Sequence, residues 1–103
     1  MAYRVRRTYH RTDPAIPWHS TQIFDQENYY KVMEMMLTDF HEKKARTVTE
    51  VDQHTLEVEF IWQDQATYED WASRPLIIQQ QELINAYNLS AGITADPREK
   101  TEI

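Results

Sequence analysis

The stretch Thr55-Leu56-Glu57-Val58-Glu59-Phe60-Ile61-Trp62 decides how the chain folds. Leu56, Val58, Phe60 and Trp62 fall on one side, and Glu57, Glu59 and Ile61 on the other. That alternation is the signature of a half-buried strand. Residues 3–10 repeat it, with Tyr3, Val5, Arg7 and Tyr9 against Arg4, Arg6, Thr8 and His10. One face of this first run is mostly apolar and the other basic, so two strands are fixed before any other element is read.

Outward from residue 55, Asp52-Gln53-His54 separates the strand from another β run over 46–51, a hairpin spacing. On the other side, Asp64 is placed to cap a short helix over 65–72 that carries Tyr68 and Trp71. Ser73-Arg74-Pro75 interrupts it, and Pro75 starts a second helical piece over 75–88. Leu76, Ile77, Gln80, Leu83, Ile84 and Tyr87 share one side of that piece. Leu89, Ala91, Ile93 and Ala95 alternate and predict a last strand over 89–95, ended by Asp96-Pro97. The charged tail after Pro97 is expected to fray.

Nearer the N-terminus, Tyr29, Val32, Met33, Met36, Leu37 and Phe40 recur every three or four residues and predict a helix over 26–43. Asp25 is its expected N-cap, and Lys43 and Lys44 suit the negative end of its dipole. Met35 lies off the stripe. Residues 11–24, with Pro14 and Pro17, form a long connection carrying Asp13, Trp18, His19, Ile23 and Phe24. Connections of that length in a small domain are frequently functional.

The order strand, helix, strand, strand, helix, strand predicts a single α+β domain over residues 1–96 with a charged tail at 97–103. Its compact form is the ferredoxin-like βαββαβ arrangement: a four-stranded antiparallel sheet of order 4-1-3-2 with two helices on one face. In that order the first and third strands are neighbours. Arg4, Arg6 and Thr8 then face Glu57, Glu59 and Ile61 on the side away from the helices, where cross-strand charge pairs stabilise the sheet. That face is either solvated or packed against a second copy, with Ile61, Val48 and the methyls of Thr8 and Thr94 among the charges.

Composition narrows the function classes. The chain has 103 residues, a net charge of −6, no cysteine and one glycine. Thiolate chemistry, disulfides and Gly-rich phosphate loops are excluded, and general nucleic-acid binding is disfavoured. No apolar run reaches the ~20 residues of a membrane span, and no signal-peptide pattern follows Met1. A soluble, cytoplasmic protein is expected.

Trp62-Gln63-Asp64-Gln65-Ala66-Thr67-Tyr68-Glu69-Asp70-Trp71, followed by Ser73-Arg74-Pro75, resembles the third-strand-to-second-helix passage of the dimeric α/β-barrel superfamily, which includes the antibiotic-biosynthesis-monooxygenase-like domains. The resemblance implies a homodimer joined through the face bearing Arg4, Arg6, Thr8, Glu57, Glu59 and Ile61. It also implies a range of activities: cofactor-free oxygenases, haem-degrading oxygenases, isomerases and proteins with no known reaction. Haem-degrading members use an Asn on the first strand and a His on the second helix. Here the first strand has no Asn, and 75–88 holds Gln79, Gln80 and Gln81 but no His. No cofactor and no metal are expected.

His10, Asp13 and His19 form the one sequence cluster suited to proton transfer or metal binding, although such polar groups are more often plain loop residues. His10 and His19 are the candidate catalytic groups. Tyr9, Asp13, Trp18, Trp62 and Trp71 are the candidate lining of a pocket for a small apolar or aromatic molecule, with residues 11–24 as its gate. Two functions remain open from the residues: a small-molecule-binding or cofactor-independent oxygenase- or isomerase-like protein, and a non-catalytic dimerisation or protein-interaction module whose aromatic residues fill the space beneath the helices.

Overall fold

The computed structural model describes residues 1–19, 33–38 and 45–103. Five strands and two helices lie within them: β1 Tyr3–His10, β2 Arg46–Asp52, β3 Thr55–Trp62, α1 Gln65–Ser73, α2 Pro75–Ala91, β4 Thr94–Ala95 and β5 Glu99–Glu102. The sheet order is β2-β3-β1-β4, with β5 also paired to β1, and every pairing is antiparallel. This is the ferredoxin-like α+β arrangement that the element order predicts.

The register between β1 and β3 follows from their two alternations. Tyr3 lies opposite Trp62, Val5 opposite Phe60 and Tyr9 opposite Leu56, all on the helix-facing side. Arg4 lies opposite Ile61, Arg6 opposite Glu59 and Thr8 opposite Glu57 on the outer side. A slip of one residue between them would turn one strand over and bury its two outward charges, so the register is strongly specified. On the outer face Arg6 Nη2 donates to Glu59 Oε2 at 2.9 Å, with Glu57 at 3.7 Å and Glu99 at 3.8 Å from the same guanidinium.

The helices cover the other face. Asp64 caps α1, its carboxylate accepting from the Thr67 backbone N–H at 2.7 Å. Tyr3, Val5, Met33, Trp62, Tyr68, Trp71 and Ile77 form one core cluster, in which the Trp62 and Trp71 rings lie 4.8 Å apart. Tyr9, Trp18, Leu56 and Ile93 form a second.

Three expectations change. Helix α2 runs on to Ala91, so the final strand is reduced to Thr94–Ala95. The alternation through Leu89 was accidental: Leu89 is 85% exposed on the last helical turn, which Gly92 closes in the left-handed conformation at φ 74°. The tail is not frayed. Asp96 N–H still bonds Thr8, Pro97 has no N–H to offer, and pairing with β1 resumes at Glu99 and ends with Ile103 N–H on the Ala2 carbonyl. Charged residues on this edge strand guard it against pairing with other chains.

The expected helix over 26–43 falls mostly outside the described residues, as do Asp25, Tyr29, Val32, Phe40, Lys43 and Lys44. Within it, Met33 is fully buried, Met35 is exposed, and the chain has left helical geometry by Leu37, which bridges Trp62. There Thr38 N–H donates to the Ile61 carbonyl, and Ile61 N–H to Ala45. The end of β3 would otherwise leave those backbone groups unpaired.

Gly92→Ala tests the helix end. A Cβ at Gly92 meets no atom within 4 Å, so its whole effect is the backbone strain of a left-handed alanine. The expected loss is about 1 kcal/mol, read as a lower urea midpoint at unchanged slope.

Candidate functional site

Between the helix-facing side of the sheet and the helices lies a partly open pocket. Val5, Tyr9, Leu56, Val58 and Phe60 form its floor, and Tyr68, Trp71 and Ile84 its helical wall. Among the described residues, the polar groups that reach it are Arg7, His19, Arg46, Gln81 and Arg98. Trp62, Met33 and Ile77 are fully buried in one half of the space beneath the helices, while among the described residues the other half holds the pocket. The filled-core expectation of an interaction module is therefore met only on the Trp62 side.

His19 comes into the pocket because the connection after β1 folds back over the sheet. Arg11 holds that fold: its guanidinium lies 4.2 Å from the Trp18 ring centre and donates to the carbonyls of Ile16 and Gln53. Tyr87 donates from α2 to the Pro17 carbonyl. Trp18 is thereby buried against Tyr9 and Leu56. His19 is 6% exposed, with its ring 4.7 Å from that of Tyr9. Burial, reinforced by the positive charges of Arg7 and Arg46, lowers its pKa from 6.5 to about 4. At neutral pH it is an uncharged imidazole, able to accept a proton.

The sequence cluster of His10, Asp13 and His19 does not stay together. His10 follows Tyr9 in the strand alternation and is directed away from the pocket, where Nε2 lies 2.9 Å from Asp96 Oδ2. Asp13 is exposed and accepts from the Ala15 N–H within its own turn. Among the described residues no group of three or more His, Asp or Glu side chains is placed to hold a metal ion.

Of the expected lining, Tyr9 and Trp71 face the pocket. Trp62 is 0% exposed and belongs to the core, and Trp18 lies behind Arg11. Ile23 and Phe24 of the expected gate lie outside the described residues. Two placements differ on the sheet itself. Val48 lies opposite Val58 and lines the pocket, so it does not share the outer face. Ile61 is already buried within the single chain at 4% exposure and has no apolar surface left to offer a partner.

No protein-family model matches the sequence, and no curated protein matches it. Among solved structures, the chain is similar to SnoaB, a cofactor-independent oxygenase from Streptomyces nogalater, at a TM-score of 0.61 and 12% identity, over 99% of this chain and 91% of that one. A single-residue variant of the same oxygenase aligns at a TM-score of 0.54 and 11% identity over the same shares. At that identity the likeness shows a shared fold. No helix among the described residues is long and apolar enough to cross a membrane.

The arginines of the pocket were not singled out by sequence reading. One signal was available: Arg7 is the lone charge on the apolar side of β1. Arg46 and Arg98 gave none, because their facing depends on the β2 register and on β5.

The depressed His19 pKa makes stability depend on pH in a defined window. Unfolded His19 protonates near 6.5 and the folded group only near 4, so the unfolded state takes up the proton first as pH falls. The contribution is complete above pH 6.5, is lost progressively down to pH 4, and amounts to on the order of 3 kcal/mol. Urea denaturation at pH 7 and pH 4.5 is expected to show this loss in the wild type and a clearly smaller one in His19→Phe. Equal losses in both would remove the assignment.

Proposed function

We propose that the protein is an enzyme of the cofactor-independent oxygenase type that holds a flat small molecule in the pocket and uses His19 as proton acceptor. One observation carries the reading: a buried, uncharged imidazole stands in an aromatic-walled pocket beside two guanidiniums. The solved oxygenase that shares the fold supports it.

The chemistry suits a substrate with an acidic CH2 next to an aromatic ring. His19 takes one proton. The carbanion, delocalised as an enolate, hands an electron to O2, and recombination forms the C–O bond of a hydroperoxide. The proton held by His19 returns to the peroxide, and loss of water with the second C–H proton leaves a ketone, so that one O2 converts CH2 to C=O and H2O. Arg7 and Arg46 disfavour an imidazolium in the empty pocket, and they stabilise the enolate that forms beside it. His10, paired to Asp96 on the other side of the sheet, has no part in this step.

Oxygen uptake with hydroxylated, CH-acidic polycyclic aromatics, in chelator-treated buffer without cofactors, tests the reading. One O2 per substrate is expected, with kcat at least about 100-fold lower in His19→Gln and KM changed little. Full activity in that variant would remove His19 from the role. Binding without uptake by the wild type would leave a binding protein and end the oxygenase reading.

We also infer that the outer face, with Arg4, Arg6, Thr8, Glu57 and Glu59, meets a second copy, as the resemblance to dimeric barrels implies. With Ile61 buried, the contact is polar and centred on the Arg6 charge network. Light scattering is expected to give twice the chain mass at low salt, and dissociation as salt is raised. A monomer at tens of micromolar and low salt would overturn the dimer.

A further inference from the structure

Around the middle of β1, charge differs between the two faces of the sheet. On the outer side Arg6 gathers Glu57, Glu59 and Glu99. On the helix side the same strands place Arg7 and Lys100, with Glu102 opposite Tyr3 at the far end of β5. Arg98 lines the pocket and donates to Gln81 Oε1 of α2 at 3.1 Å. The Lys100 ammonium lies 5.2 Å from the centre of the Tyr68 ring. Arg7 lines the pocket, donates from Nε to the Asp96 carbonyl, and lies over Tyr9.

Arg98 directly precedes Glu99, the partner of Arg6, and lines the same pocket as Arg7, the next residue of β1. Like charges brought to one site are unfavourable. The chain carries 17 carboxylate side chains against 11 Lys and Arg, so acids to neutralise the pair were plentiful. Yet among the described residues no Asp or Glu lines the pocket, and neither Arg7 nor Arg98 makes an ion pair with any of them. Arg7 is half-buried, its Nε is occupied by a carbonyl, and the other side of its planar fork is left for a further acceptor.

We propose that Arg7 and Arg98 form an oxyanion subsite at the β1–β5 edge of the pocket, so that the ligand is a planar aromatic molecule bearing a carboxylate-like group. The ring lies against Phe60, Tyr68 and Trp71, and the charged group meets the two guanidiniums. Guanidinium forks match a carboxylate bidentately, and the aromatic wall supplies apolar contact in the same site. This places β5 in ligand selection, and it rests on reading the pocket as a small-molecule site.

The test compares anthracene-2-carboxylate with anthracene-2-carboxamide, which share ring and shape and differ in charge, by fluorescence titration of the full chain at low salt. The carboxylate is expected to bind at least about tenfold more tightly than the amide. Arg98→Gln, an exposed position whose change spares the core, is expected to remove most of that preference. Arg98→Glu is expected to reverse the preference. Equal affinity for the two ligands, or an unchanged preference in both variants, would overturn the oxyanion subsite while leaving the pocket intact. Failure of both ligands to bind folded wild-type protein would count instead against the small-molecule reading on which the subsite rests.

Discussion

The pairing of β1 with β3 is the constraint on which the remaining structure depends. β1 and β3 are the two interior strands; β1 meets β3 on one edge and β4 and β5 on the other, while β3 meets β2 on its far edge. The alternation of β1 therefore decides the facing of every residue paired to it. Tyr3, Val5 and Tyr9 seed the two core clusters, Arg6 collects the carboxylates of the outer face, and Arg7 is committed to the helix side although it is charged. The outer network is half-exposed, so its energy is modest, but it makes the register costly to shift.

The pocket exists because the two core clusters are unequally filled. At one end three aromatic rings from β3 and α1, together with Met33 and Ile77, use the space fully. At the other end the helix-facing positions include Arg7 and Arg46, and a guanidinium cannot be packed like a leucine without leaving donors unpaired. A region built from long cations over an apolar floor stays open to water. The same cations set the state of His19. Burial is the larger influence on its pKa and the guanidiniums add to it, so the imidazole is uncharged when the pocket is empty. An anion in the pocket would offset part of that effect and raise the basicity of His19 where a substrate has bound.

Sequence patterns gave away those parts of the fold in which local and long-range preferences agree. The alternations of β1 and β3, the Asp64 cap and the Pro75 start were each legible because one residue type does one physical job there. Elsewhere the local signal misled. Leu89, Ala91 and Ile93 alternate, but Gly92 is the stronger statement, since it is the chain's sole glycine and sits where a helix needs a left-handed residue. β5 is charged and follows a proline, and nothing local marks it as paired; only the free edge of β1 does. The facing of Val48 is hidden in the sequence because β2 lacks a clean alternation and carries a register shift between Glu50 and Asp52.

The candidate site was legible by residue and illegible by grouping. His10 and His19 are close in sequence, which made them a natural pair, yet strand alternation sends one to the outer side and a folded-back connection brings the other into the pocket. Proximity along a chain is weak evidence of a site wherever a strand ends between the residues, because one step of pleat separates the two faces of a sheet. The charges that share the pocket instead, Arg7 and Arg98, are 91 residues apart, and Arg98 is placed there by an edge strand that begins at the next residue. A polar residue on the apolar side of a central strand is the better guide: the fold bears the cost of its burial, and what offsets that cost must come from a neighbour or a ligand.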